Sequence, residues 1–205
     1  SYQQLSVLRA MKNCRTAALG GHVDRCSKCG QQAISYTSCR NRHCNKCQAQ
    51  ARQRWLDQRQ QELLGVSYFH VVFTLPQELN RLCERHAELL YNLLFRASAE
   101  TMIEVAADPK HLGAHIGFLS ILHTWGQNLS LHPHVHCVVP AGGFSLDHTQ
   151  WVHPKYAFFL PVKVLSRVFR GKFLDRLKRA FRRNQLALDR RFIDKLFQTD
   201  WVVYA

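Results

Sequence analysis

The 205-residue sequence contains no long apolar run. A membrane-spanning helix, which needs roughly 18 or more such residues, is therefore excluded. Acidic side chains are scarce: 14 Asp and Glu stand against 28 Lys and Arg, giving a net charge of +14 with neutral histidines. That imbalance excludes an ordinary near-neutral metabolic enzyme as the default reading and favours a polyanionic partner. Glycine (10) and proline (6) are too few for a collagen-like or disordered chain. The opening SYQQLSVLRAMKNC lacks the basic-then-apolar order of a signal peptide. Apolar residues at 46% suffice for a core, and the length suits one large domain or one domain plus a small module. Ser1 is not an initiator Met, and the chain stops inside the strand-like run WVVYA, so both ends are expected to be cut, the second above all.

The positive charge is unevenly placed. Residues 1–65 carry a net +8, residues 66–160 a net −2, residues 161–191 a net +9 and residues 192–205 a net −1. Two basic blocks thus flank a nearly neutral middle, as two phosphate-contacting surfaces around a more buried body would. A merely solvated basic surface is the plainer alternative.

Six of the eight cysteines fall between residues 14 and 47. Cys26-Ser-Lys-Cys29 and Cys44-Asn-Lys-Cys47 are two C-x-x-C pairs, each able to grip a tetrahedral ion from a tight turn. Together they are expected to complete a four-thiolate zinc site. Disulfides are the alternative, but no secretory signal supports them. Cys14, His22, Cys39 and His43 remain. They either bind a second zinc or form a small buried core. Arg40, Arg42 and Lys46 would project toward phosphate from the stiffened loop, and the run QAQARQRWLDQRQQELL after Cys47 reads as a helix.

From residue 66 onward the pattern changes. Tyr68–Leu75 is β-branched and aromatic and predicts a central strand. Residues 77–107 show helical spacing, as one or two helices. Residues 116–124 and 135–139 read as strands joined in an antiparallel hairpin. Residues 161–183 form a basic amphipathic helix, and Trp201–Tyr204 starts a last strand. Strand, helix, two strands, helix, strand is the split βαβ order of ferredoxin-like folds, an α+β class whose sheet keeps one face open. The expected domains are a zinc module with its connecting helix at 1–65 and an incomplete second domain at 66–205.

His134 and His136 are two residues apart on a strand and so face one side, with Val135 directed into the core. His123, at the end of the neighbouring strand, would join them in a hairpin. Three neutral imidazoles with open positions would hold a divalent ion against a scissile phosphate. His132 and Gln127 are not assigned as ligands, and Cys137 is read as a buried apolar residue.

His134-Val135-His136 with His123 upstream resembles the HUH signature of metal-dependent single-strand DNA endonucleases. The strings HTWGQNLSLHPHVHCVVPAGG and CRTAALGGHV…CSKCG…SCRNRHCNKCQ together resemble the two-tyrosine rolling-circle transposases of the insertion sequence ninety-one type. The resemblance implies a zinc-binding domain followed by an HUH nuclease domain with its metal site on the open sheet face. It implies Mg²⁺ or Mn²⁺ at the histidines, structural Zn²⁺, single-stranded DNA at transposon ends as partner, no membrane and no nucleotide cofactor. It further implies a 5′-phosphotyrosine intermediate and a bacterial, cytoplasmic, nucleoid-associated setting. The family's Y-x-x-x-Y pair is absent among the six tyrosines, so the nucleophiles are expected beyond Ala205 and this piece is expected to bind but not cleave. Arg167, Arg170, Arg176 and Arg179 on the basic helix would form a DNA-backbone track next to the metal site. Trp125, Trp151, Phe158 and Phe159 would stack on bases or fill the core, with Phe158 and Phe159 assigned to the core. The competing readings are a non-enzymatic zinc-dependent DNA-binding protein and a relaxase or replication initiator with the same HUH core.

Overall fold

The computed structural model describes residues 2–128, 130–155, 159–183 and 189–205. The chain divides into two compact units, residues 1–64 and 65–205. No described helix is long and apolar enough to cross a membrane.

The first unit strings together α1 (Tyr2–Asn13), the hairpin β1 (Gly21–Arg25) and β2 (Gln32–Tyr36), and α2 (Asn45–Gln61). The hairpin is antiparallel with Val23 opposite Ile34. Its turn holds Cys26–Cys29, closed by Cys26 N–H to Gln31 O (2.8 Å) and Gly30 N–H to Cys26 O (2.9 Å). Gly30 takes φ +76°, a conformation that side-chain-bearing residues rarely adopt. Among the described residues of this unit only Cys14 and Cys44 are buried. The described residues form no apolar core that would hold the unit together, which is the situation in which small domains depend on a metal.

The second unit is built on a four-stranded antiparallel sheet. Its strands are β3 (Tyr68–Thr74), β5 (Leu119–Trp125), β6 (Leu131–Pro140) and β9 (Val203–Tyr204), in the spatial order β5-β6-β3-β9. With α3 (Asn80–Arg85) and α4 (Ala87–Ala107) after β3, and α5 (Val162–Arg182) before β9, this is the split βαβ topology read from the sequence. A separate three-stranded sheet, β4 (Ala114–His115), β7 (Gly143–Ser145) and β8 (Trp151–Val152), was not legible, and neither was α6 (Arg190–Gln198).

The pleat sorts the residues. On β6, Pro133, Val135, Cys137 and Val139 are buried while the intervening residues are not. On β3, Val71 and Phe73 are buried in the same way. These side chains meet α4 through Leu90, Leu94 and Ala97 and α5 through Leu165, Phe169 and Phe173. Phe73 and Phe169 pack edge to face at 5.0 Å. Phe159 joins this core, stacked on Phe69 at 5.3 Å, and Phe158 lies outside the described residues. The helices therefore cover one sheet face, and His70, Val72, Thr74, His134 and His136 belong to the other.

Several boundaries differ from expectation for physical reasons. Of the one or two helices expected over 77–107 there are two, α3 and α4, separated at His86 (φ −132°, ψ 46°) and starting at Asn80. β6 begins at Leu131, earlier than residue 135, despite Pro133. The register with β5 shifts between His123 and Trp125, opposite Pro133, where the missing N–H costs little. α2 starts at Asn45 because Cys44 takes the extended N-cap conformation.

Candidate metal centres

Cys14 follows α1, Cys39 follows β2, Cys44 caps α2 and Cys47 lies in its first turn. Their four Sγ atoms all lie within 4.8 Å of one another. Cys14 Sγ is 3.5 Å and Cys39 Sγ 3.7 Å from Cys47 Sγ. A tetrahedral zinc with Zn–S near 2.3 Å places its sulfurs about 3.8 Å apart, so the cluster has the dimensions of a zinc site. The electrostatics agree. The Cys44 thiol is lowered to about 7, first of all by the Cys47 backbone N–H. At Cys39 the Asn41 N–H favours the thiolate, but burial and the three neighbouring thiols push it up to about 12. Four thiolates cannot coexist at this distance without a cation, and a bound cation removes that last proton.

This arrangement corrects the ligand grouping read from the sequence. Cys44 and Cys47 are joined by Cys14 and Cys39, whereas Cys26 and Cys29 are exposed at the hairpin turn, outside the cluster. The Cys29 and Lys28 backbone N–H groups and the Cys29 thiol lower the Cys26 thiol. The second set does not assemble either. His22 is exposed on β1, 3.4 Å from Asp24, and the exposed His43 takes a 3.3 Å hydrogen bond from Arg42. Sequence spacing identified the four-sulfur chemistry but could not reveal which loops come together. Arg40 is exposed, and Lys46, also exposed, donates to the Cys14 carbonyl (3.1 Å).

The second centre lies on the open face of the large sheet. His123 on β5 stands directly opposite His134 on β6, and His136 follows two residues on. Their ligand atoms all lie within 4.8 Å of one another. Ring centroids are 4.3 Å apart for His123–His136 and 4.8 Å for His134–His136. His134 Nδ1 lies 2.6 Å from the His132 carbonyl, which fixes its proton there and leaves Nε2 with a free lone pair. His136 Nδ1 lies 2.6 Å from Nε2 of His70, whose ring is stacked on it at 4.9 Å and 2°. His136 Nε2 is buried and has no hydrogen-bond partner. Burial, followed by the charges of His123, His134 and His70, pulls His136 down to about 4, so it is neutral at pH 7 as a ligand must be. A buried ring nitrogen without a partner, beside two converging imidazoles, fits a cation.

His70 was missed by sequence reading. Its signal was present: it occupies the non-core phase of the alternating run YFHVVFT. A pocket of about 790 Å³ opens over the histidines, lined also by Trp125, Gln127, Asn128 and Ser130. Trp125 is 58% exposed, and its ring lies parallel to His123 at 6.1 Å. Cys137 is buried in the helix-facing core, as expected of it.

The basic helix is not beside this centre, which corrects the expected track. α5 packs on the Phe73 face, and the histidines occupy the other. Part of its charge is already used. Arg170 lies over the Phe197 ring and donates to Thr199 O. Arg176 pairs with Glu100, and Arg179 with Asp175. Arg167 is exposed.

Comparison with known proteins matches both halves of the chain. Residues 1–75 match the family described as "Transposase zinc-binding domain", and residues 117–205 the one described as "Putative transposase". The chain is 53% identical over 217 aligned positions to "Putative transposase y4qJ" of Sinorhizobium fredii (strain NBRC 101917 / NGR234), covering 100% of this chain and 54% of that protein. It is 33% identical over 144 positions to the "Transposase for insertion sequence element IS801" of Pseudomonas savastanoi pv. phaseolicola, covering 69% and 34%. The chain thus spans about half or less of the length of these curated relatives. Among solved structures, conjugative relaxase TrwC with oriT DNA in its metal-bound form aligns at TM-score 0.43 and 17% identity, over 54% of this chain and 42% of that one. The metal-free form of the same complex aligns at 0.42. By its two family matches and its relatives, the chain belongs to the transposases of the insertion sequence ninety-one type.

Proposed function

We propose that the chain carries the zinc module and the metal centre of a transposase that nicks and rejoins single-stranded DNA. The observation that supports this most is the convergence of His123, His134 and His136 on the uncovered sheet face, with His136 Nε2 left without a partner. A divalent ion there, Mg²⁺ or Mn²⁺, would polarise a phosphodiester and stabilise charge on its oxygens. The protein's own groups set the geometry. The His132 carbonyl and His70 hold the His134 and His136 rings with Nε2 presented. Trp125 offers an exposed ring on which a base beside the scissile phosphate stacks. Gln127 lines the same pocket with an amide for phosphate oxygens, while the Ser130 hydroxyl and N–H both donate to Asn128 Oδ1 and brace the loop.

In this reading a tyrosine hydroxyl attacks phosphorus, its proton passes to solvent or a base, and the bond from phosphorus to the 3′ oxygen breaks. A 5′-phosphotyrosine and a free 3′-OH result, and reversal rejoins strands without a nucleotide cofactor. The nucleophile belongs to the part of the relatives' length that this chain does not span. Four-cysteine zinc would stiffen the first unit as a DNA-contacting module at transposon ends, with Arg40 and Arg42 exposed beside it, in the bacterial cytoplasm. The test is a chain extended to the length of its relatives, incubated with a labelled single-stranded oligonucleotide carrying a transposon end. Formation of a covalent adduct that needs divalent metal and disappears in His136→Ala is expected. Nicking that persists in His136→Ala, or that leaves no protein–DNA adduct, would overturn it.

A further inference from the structure

The face of the second unit opposite the histidines carries a basic groove that the DNA-processing centre does not use. It runs between α4 and α5 with a volume of about 440 Å³. Leu93 and Ala180 form its buried floor, and Arg96, Arg176, Arg179 and Arg183 line it, with no carboxylate among the lining residues. The arginines come from helical stripes that face each other. Arg176, Arg179 and Arg183 follow i, i+3, i+7 on α5 and its cap, and Asn92 and Arg96 follow i, i+4 on α4. The two acids that serve this region are spoken for: Glu100 by Arg176, and Asp175 by Arg179. Arg96 and Arg183 have no side-chain partner among the described residues. Nε of Arg176 is buried and meets no acceptor. A second open pocket shares Leu89 and Asn92 with the groove and extends it past His86 and Arg85, where one carboxylate, Glu88, joins the lining.

We propose that this groove is a second DNA site, holding the phosphate chain of a stretch of DNA other than the one at the histidines. Guanidinium forks match phosphate oxygens two at a time, and the two uncompensated ones of Arg96 and Arg183, flanked by the paired Arg176 and Arg179 around a narrow apolar floor, suit a sugar–phosphate chain. From Arg176 to Arg183 the helix rises about 10 Å, enough to meet about two successive phosphates of one strand. The sheet lies between the groove and the histidine centre, so a short segment cannot occupy both. Two DNA segments on opposite faces of one small unit is a geometry useful to a protein that must hold one strand while processing another.

The test is binding of a fluorescein-labelled 20-nucleotide oligothymidylate, followed by anisotropy between 50 and 300 mM salt. Arg96→Gln/Arg183→Gln removes two uncompensated charges without touching the histidines. The slope of log affinity against log salt should shrink by about 1.4, and affinity at 0.1 M salt should fall roughly 20-fold. Arg96→Lys/Arg183→Lys should restore the slope, which a folding defect would not allow. Mn²⁺ binding at the histidines should be unchanged in both variants, and the slope difference should persist in a His134→Ala background. Failure of Mn²⁺ binding alone would count against the proposed nuclease centre and leave the groove standing. An unaltered slope and affinity in the glutamine variant would overturn the groove.

Discussion

Removing zinc should unfold the first unit and spare the second. The first unit buries only Cys14 and Cys44 among its described residues, and its hairpin strands are exposed along their whole length. Two cysteines cannot offset the entropy of ordering some sixty residues, which runs to about 1–2 kcal/mol for each backbone unit fixed. A four-cysteine zinc site contributes about 10–16 kcal/mol at neutral pH, enough to make folding and metal binding one event. The second unit instead has a continuous core from Val71 to Val203 and needs no ion to stand. Hydrogen exchange read by mass spectrometry, before and after chelation, separates the two. Protection of residues 21–36 and 45–61 should collapse, while β3, β6 and α5 keep theirs. Cys14→Ser and Cys39→Ser should do the same as chelation, and Cys26→Ser/Cys29→Ser should leave one zinc per chain bound. Retained protection of the hairpin after complete zinc removal would refute the reasoning. So would loss of that zinc in the Cys26/Cys29 variant with retention in Cys14→Ser.

Other outcomes follow from the second unit. His70→Ala should weaken divalent binding about 10- to 100-fold, because the His136 ring loses the partner that orients it; isothermal titration with Mn²⁺ reads this directly. Trp125→Ala should cost single-stranded oligonucleotide binding about 1–3 kcal/mol without changing Mn²⁺ affinity. The Asp147 carboxyl is lowered from 3.8 to about 2, first by the Ser145 hydroxyl and then by Thr149. Its contribution to the β7–β8 turn is therefore fully present above about pH 4 and lost as pH falls through about 2, which a carboxyl-carbon NMR titration should show.

The histidine centre was readable because strand alternation is rigid: two positions apart means one face, and a short connection means a hairpin. His70 escaped because alternation along β3 gives its face but not its partner, which depends on the strand beside it. The zinc ligands were half readable. C-x-x-C at 44 and 47 marks a grip, but which other cysteines close it depends on where the chain after α1 and after β2 returns, and spacing does not encode that. The basic helix was correctly placed as an element and misplaced as a surface. Its apolar stripe says that it packs on the sheet, not on which face, and the side is set by the connection from β6 through the small second sheet. Strands of two or three residues, such as β4 and β8, are too short to leave a periodic trace.

A cation held by imidazoles on the uncovered sheet face is the centre of the proposed chemistry. Crystals soaked in Mn²⁺ and measured at the manganese absorption edge locate the ion directly. An anomalous peak within about 2.0–2.4 Å of one ring nitrogen from each of His123, His134 and His136, absent in His136→Ala crystals, is the expected result. A protein saturated with Mn²⁺ whose peak lies elsewhere, or whose peak survives loss of His136, would contradict it.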